Sequence, residues 1–172
     1  SARKALVEAY RGEPVRRAAH AGKSYEADPE KLKQQLEDCF RSKEGPKNAS
    51  SENAGKGLKG VVAPHVEISQ AGPIYAWAYK EVREADRPDV FVILGAARGI
   101  IDTLFACTEK DFETPLGMVK TDKEFLRLFR EQGGDVFFEE EIAHRKDHAI
   151  EFQALFLQHV LGGGKPFTIV PV

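Results

Sequence analysis

The sequence predicts a single α/β domain of three layers, a mostly parallel central sheet flanked by helices. Three observations carry that prediction. The run Asp89-Val90-Phe91-Val92-Ile93-Leu94-Gly95 is rich in β-branched residues and continuously apolar, as expected of a strand covered on both faces. A strand, a helix and a strand follow one another between Gly60 and Gly95, the order of a parallel crossover. With 172 residues, 42% of them apolar, the chain can build one substantial core and is too short for two.

The elements follow in order along the chain. Asp28 is a good N-cap, Pro29 suits the first helical position, and Leu32, Leu36, Cys39 and Phe40 recur at helical spacing, which predicts an amphipathic helix over 28–40. From Ser42 to Lys59 the chain turns to Lys, Gly, Ser, Asn and Glu and reads as a mobile loop; the Asn48-Ala49-Ser50 sequon within it is a chance match. Gly60-Val61-Val62-Ala63-Pro64 reads as a short strand, and Ala71-Gly72-Pro73 opens a helix through Ile74, Trp77, Ala78 and Val82. After the 89–95 strand, Thr103 to Thr108 reads as another. Asp122 to Arg130 is a helix with Phe125, Leu126 and Phe129 inward, Ala149 to Leu161 is a further helix, and Phe167 to Val172 is a strand.

Composition narrows the functional classes. A formal charge of −2 and a pI near 6.2 provide no field that draws phosphate backbones, so nucleic acid is not the expected partner. A small molecule or an anionic peptide is. Cys39 and Cys107 stand far apart with no CxxC spacing, which gives neither a disulfide framework nor a thiolate zinc site and fits a reducing cytoplasm. The Arg-rich start has no apolar leader core, and no stretch approaches the roughly 20 apolar residues that span a bilayer, so neither export nor a membrane anchor is expected.

In open α/β sheets, ligands bind outside the carboxyl ends of the strands. Two places qualify. His65 directly follows the Val61 to Pro64 run, and the turn Ala96-Ala97-Arg98-Gly99 follows the Val90 to Leu94 run. The densest local constellation is His144-Arg145-Lys146-Asp147-His148, with Glu151 and Gln153 close behind, because imidazoles and carboxylates are the ligand types that hold Zn or Fe. His144 and His148 would share one face only of a helix begun before His144, whereas Asp147 is itself a good N-cap and the apolar period starts after it. A charged, solvated helix entry explains the same residues equally well. Gly162-Gly163-Gly164-Lys165 lacks the spacing and the Ser/Thr of a phosphate loop, and Ser24, Ser69 and Thr121 have no nucleophile elbow. Cys107 and Trp77 read as core.

Several stretches together resemble the Memo-like family, also called AmmeMemoRadiSam system protein B. Ala21-Gly22-Lys23-Ser24-Tyr25 resembles its AGxxY segment, and Pro64-His65 with Ala71-Gly72-Pro73 its PHAGYxYSGP motif. Phe112-Glu113-Thr114-Pro115-Leu116-Gly117 with Asp122 resembles YETPLGxVxxD, and Ala143-His144-Arg145-Lys146-Asp147-His148-Ala149-Ile150-Glu151-Phe152-Gln153 resembles AHRxEHSxExQ. The resemblance implies a fold similar to class III extradiol dioxygenases and a pocket of the kind that holds non-haem Fe(II). It places His65 and His148 in that pocket as metal ligands or catalytic groups. The family's second histidine has no counterpart, since Arg98 or Gly99 stands there, and the segment that would supply the last pocket residue is not in the sequence. Glu67 or His144 would then complete a shell for Fe(II), Zn or Cu, or no metal binds at all. Arg98 would instead favour an anionic guest. The resemblance thus leaves two functions open. One is a metal-dependent, dioxygenase-type oxidoreductase. The other is a non-catalytic module for an anionic ligand or phosphopeptide, as vertebrate members associated with phosphotyrosine-bearing receptors suggest. A third reading keeps the histidines as inherited structure only.

Overall fold

The computed structural model describes residues 2–47, 57–97 and 101–172. Its centre is a five-stranded sheet of β1 (Val15–Arg16), β2 (Val90–Ile93), β3 (Asp111–Thr114), β4 (Gly117–Thr121) and β5 (Thr168–Pro171), in the order β1-β3-β4-β5-β2. Every neighbouring pair is parallel except the β3–β4 hairpin, where Phe112 faces Val119 and Thr114 faces Gly117. The helices are α1 (Ala2–Gly12), α2 (Pro29–Arg41), α3 (Ile68–Glu84), α4 (Lys123–Gly133), the single turn α5 (Val136–Glu139) and α6 (Ala149–Leu161), with a 3-10 turn at Glu141–Arg145.

Alternation along the strands divides the core between two faces. On β5, Ile169 joins the larger cluster with Phe112, Val119, Leu36, Tyr75, Phe152 and Phe156, while its neighbour Val170 joins Cys107 and Leu126 on the other side. Helices α2, α3 and α6 therefore cover one face, and α4 with α5 covers the other, which is the three-layer architecture the sequence predicts. Helix α6 is apolar nearly all round because it lies inside its layer: nine of its thirteen residues are buried, and the Phe156 ring stacks on Tyr75 at 4.8 Å and on Tyr79 at 5.2 Å. Close approach of α2 to α3 depends on Gly72, where a Cβ would come within 2.5 Å of Cys39 Sγ. Among the described residues, no helix is long and apolar enough to cross a membrane.

The expected helices at 28–40, 122–130 and 149–161 match α2, α4 and α6 closely, with Asp28 accepting from Glu30 N and Lys31 N and Asp122 from Phe125 N as their caps. Helix α3 begins at Ile68, ahead of the expected Ala71, and carries Pro73 inside its second turn. Two expected strands are corrected. Residues 60–64 run without strand pairing and leave Val62 98% exposed, because an apolar run becomes a strand only where a neighbour completes its ladder and Pro64 has no N–H to give. Residues 103–108 form a bend and coil, anchored by Cys107 N on Phe137 O at 2.6 Å. The ladder position is taken instead by the β3–β4 hairpin. Of the loop expected at 42–59, residues 48–56 and the sequon lie outside the described residues.

Candidate functional site

His148 stands immediately before α6, at its N-cap position, and its ring lies flat on Phe152 one turn later, centroids 4.6 Å apart with an interplanar angle of 4°. It is 2% exposed. His65 approaches from the loop preceding α3, its ring centroid 4.8 Å from that of His148. Asp147 joins them: one potential ligand atom from each of His65, Asp147 and His148 lies within 4.8 Å of the others. His20 packs edge-on against His148 at 5.5 Å and against Phe152 at 5.7 Å.

Each of these side chains projects from a backbone that is held on several sides. The carbonyls flanking His65 both accept bonds, Pro64 O from Gln153 Nε2 at 3.2 Å and Val66 O from the Tyr75 hydroxyl at 3.0 Å. Gln153 is itself fixed by the Tyr79 hydroxyl, which donates to its Oε1 at 2.8 Å; burial pushes that phenol's pKa up, so it remains a donor. Asp147 Oδ1 accepts from Ala149 N at 2.7 Å. The end of β2 closes down on the same helix terminus through Gly95, where a Cβ would meet Ala149 Cβ and Ile150 Cδ1 at 2.9 Å. The cluster thus sits beside the carboxyl end of a parallel strand and the start of α6, the position that open sheets use for ligands.

Two apolar cavities adjoin it. One of about 690 Å3 reaches His65 between Ala63, Tyr79, Leu157 and β2, and a smaller one of about 200 Å3 reaches Asp147 and His144 past Leu104, Phe105 and Val172. A cavity of about 700 Å3 between α2 and the Gly162–Lys165 turn is lined by His159 and by none of His20, His65, Asp147 and His148.

The residues named from the sequence divide. His65 and His148 are brought together. His144 is not with them: it lies in the 3-10 turn, buried, with Nε2 donating to Ala106 O at 2.5 Å, and burial holds its imidazole down at about 4 against the smaller opposing pull of that hydrogen bond. A neutral ring engaged with a carbonyl takes its place as a structural tie, because the helix that would have aligned it with His148 starts only at Ala149. Glu67 occupies the N-cap of α3 without capping it and is not in the converging group; the carboxylate there is Asp147. Arg98 and Gly99 lie outside the described residues. Sequence reasoning missed His20, and it placed Asp147 in the His144–His148 constellation and read it as a helix cap without naming it as a ligand. The adjacency of Asp147 to His148 could have flagged the aspartate, whereas His20 reaches the site only through the fold.

The fold and this cluster define an α/β protein with two imidazoles and a carboxylate gathered at the mouth of a parallel sheet. A family model described as Memo-like protein matches residues 16–172, and the chain belongs to that family. It is 40% identical over 159 residues to a MEMO1 family protein of Methanopyrus kandleri, covering 91% of this chain and 55% of that one. MEMO1 family proteins of Saccharolobus islandicus, 38% identical over 159 residues (90% of this chain, 55% of the relative), and of Pyrobaculum aerophilum, 36% identical over 163 residues (92% and 55%), are also similar. The chain therefore spans about half the length of the curated relatives it matches.

Proposed function

We propose that His65, Asp147 and His148 hold a divalent transition-metal ion, Fe(II) or else Zn or Cu, and that the protein is a metal-dependent oxidoreductase of dioxygenase type. The observation that carries this reading is the convergence of two imidazoles and one carboxylate within 4.8 Å. Two histidines and a carboxylate on one side of an ion are the donor set of non-haem Fe(II) oxygenases, and they leave coordination positions open. The donors fit the group in hardness and number, and the surrounding backbone bonds fix them before any ion arrives. When bound, such an ion supplies a Lewis acid and a centre at which O2 or substrate is activated.

The chain's own residues do the rest. Phe152 covers one face of the His148 ring and, with its burial, keeps bulk water from it. The Tyr79–Gln153–Pro64 chain orients the His65 backbone, and the apolar walls of Ala63, Leu157 and β2 favour an uncharged guest beside it. Elemental analysis of the protein after anaerobic Fe(II) and aerobic Zn loading tests the proposal. Near-stoichiometric metal that is lost in His65→Ala, Asp147→Asn and His148→Ala supports it. Absence of metal under either loading sinks it and turns attention to binding of anions or peptides.

A further inference from the structure

Arg16, on the edge strand β1, and Glu151, in the first turn of α6, form an ion pair with both side chains at 0% exposure. Replacing such a pair with apolar residues is often neutral or stabilising, so a buried ion pair is by itself weak evidence of a stabilising role. Its hydrogen bonds suggest another role. The guanidinium donates from Nε to His144 O at 2.9 Å, from Nη2 to Asp147 O at 2.6 Å, and from Nη1 to Arg17 O at 2.9 Å as well as to Glu151. Glu151 in turn accepts from Ala19 N at 3.2 Å, from His20 N at 3.0 Å and from the Tyr25 hydroxyl. Burial, and then the Glu151 charge, push the Tyr25 phenol up and keep it a donor. His20 returns the grip, its Nε2 lying 2.8 Å from Lys146 O and so carrying the proton. Two segments 128 residues apart are locked reciprocally, and the carbonyls held are those of the turn that ends in Asp147 and His148.

We propose that Arg16 and Glu151 are positioning residues of the histidine–aspartate site: together they fix the backbone from which Asp147 and His148 project, and they bring His20 against His148. The geometric consequence concerns the protein without metal. Only the expected effect on affinity rests on the metal reading above.

The test compares the wild-type protein with the double variant Arg16→Met/Glu151→Leu, which removes both buried charges together, and with Arg16→Lys, which keeps the charge and loses the planar fork. Leu155→Ala, a core truncation further along α6, serves as the control for lost stability alone. Folding is checked by circular dichroism, histidine ring 15N shifts are recorded without metal, and binding is measured with Co(II) alone. The positioning role predicts that whichever Arg16 variant folds moves the His148 and His20 ring signals and weakens Co(II) binding about 10- to 100-fold, whereas Leu155→Ala leaves both near wild type. Unmoved His148 and His20 signals in a folded Arg16 variant overturn the proposal, as does an equal displacement in Leu155→Ala. If the wild-type protein itself binds no Co(II), the metal reading fails, and the ring shifts alone still decide the positioning role.

Discussion

Lowering the pH places a calculable load on His144. Its ring is buried against the Ala106 carbonyl with a pKa near 4, while in the unfolded chain it returns to the ordinary 6.5. Between those values the unfolded state binds a proton that the folded state refuses, so the stability contributed by this group is complete above about pH 6.5 and drains away as the pH falls towards 4. A difference of about 2.5 pH units at ~1.4 kcal/mol each corresponds to roughly 3–4 kcal/mol over the full range. Most of that, roughly 2–3 kcal/mol, is gone by about pH 4.5. His144→Gln keeps an N–H for Ala106 O and does not titrate. Urea unfolding of both proteins at pH 7 and pH 4.5 isolates the effect, since carboxylates and the other histidines titrate alike in the two and cancel. The wild-type midpoint should fall further than that of His144→Gln by on the order of 1 M urea. Parallel falls would show that His144 is not held neutral by its surroundings, and the account of that ring as a structural tie would be wrong.

Other expectations follow from the packing. Gly95→Val forces a side chain onto Ala149 and Ile150 and should cost about 1–3 kcal/mol, read as a lower urea midpoint, with displaced ring signals of His148 next to the disturbed helix start. Phe156→Ala removes the ring stacked on both Tyr75 and Tyr79 and should cost about 3–5 kcal/mol by the same assay while leaving those signals in place. Gln153→Leu strands the Tyr79 hydroxyl and releases Pro64 O, which should lower stability by about 1–3 kcal/mol and shift the His65 ring signals more than those of His148.

What the sequence discloses depends on whether the deciding physics is local. The α2 and α6 helices were legible because Asp28 caps its own next turn and the apolar periods of both helices lie in adjacent residues. Pairing is not local. Val61 to Pro64 and Thr103 to Thr108 have strand-like composition yet lack ladders, while Asp111 to Thr121 forms a hairpin although its residues are mixed in polarity. At the site, His65 and His148 could be named from a motif. His144 stands outside the helix, as the apolar period starting after Asp147 indicates, and its ring turns to Ala106 O, which only the fold reveals. His20 and the Arg16–Glu151 tie depend on segments well over 100 residues apart, which no local pattern reports.

The most direct test of the central claim is X-ray absorption at the zinc edge of the loaded protein. The account predicts a first shell at about 2.0–2.2 Å containing two imidazoles and a carboxylate oxygen, reduced to one imidazole in His148→Ala and unchanged in His144→Gln. A shell indifferent to His65 and His148, or no ordered zinc at all, would contradict it.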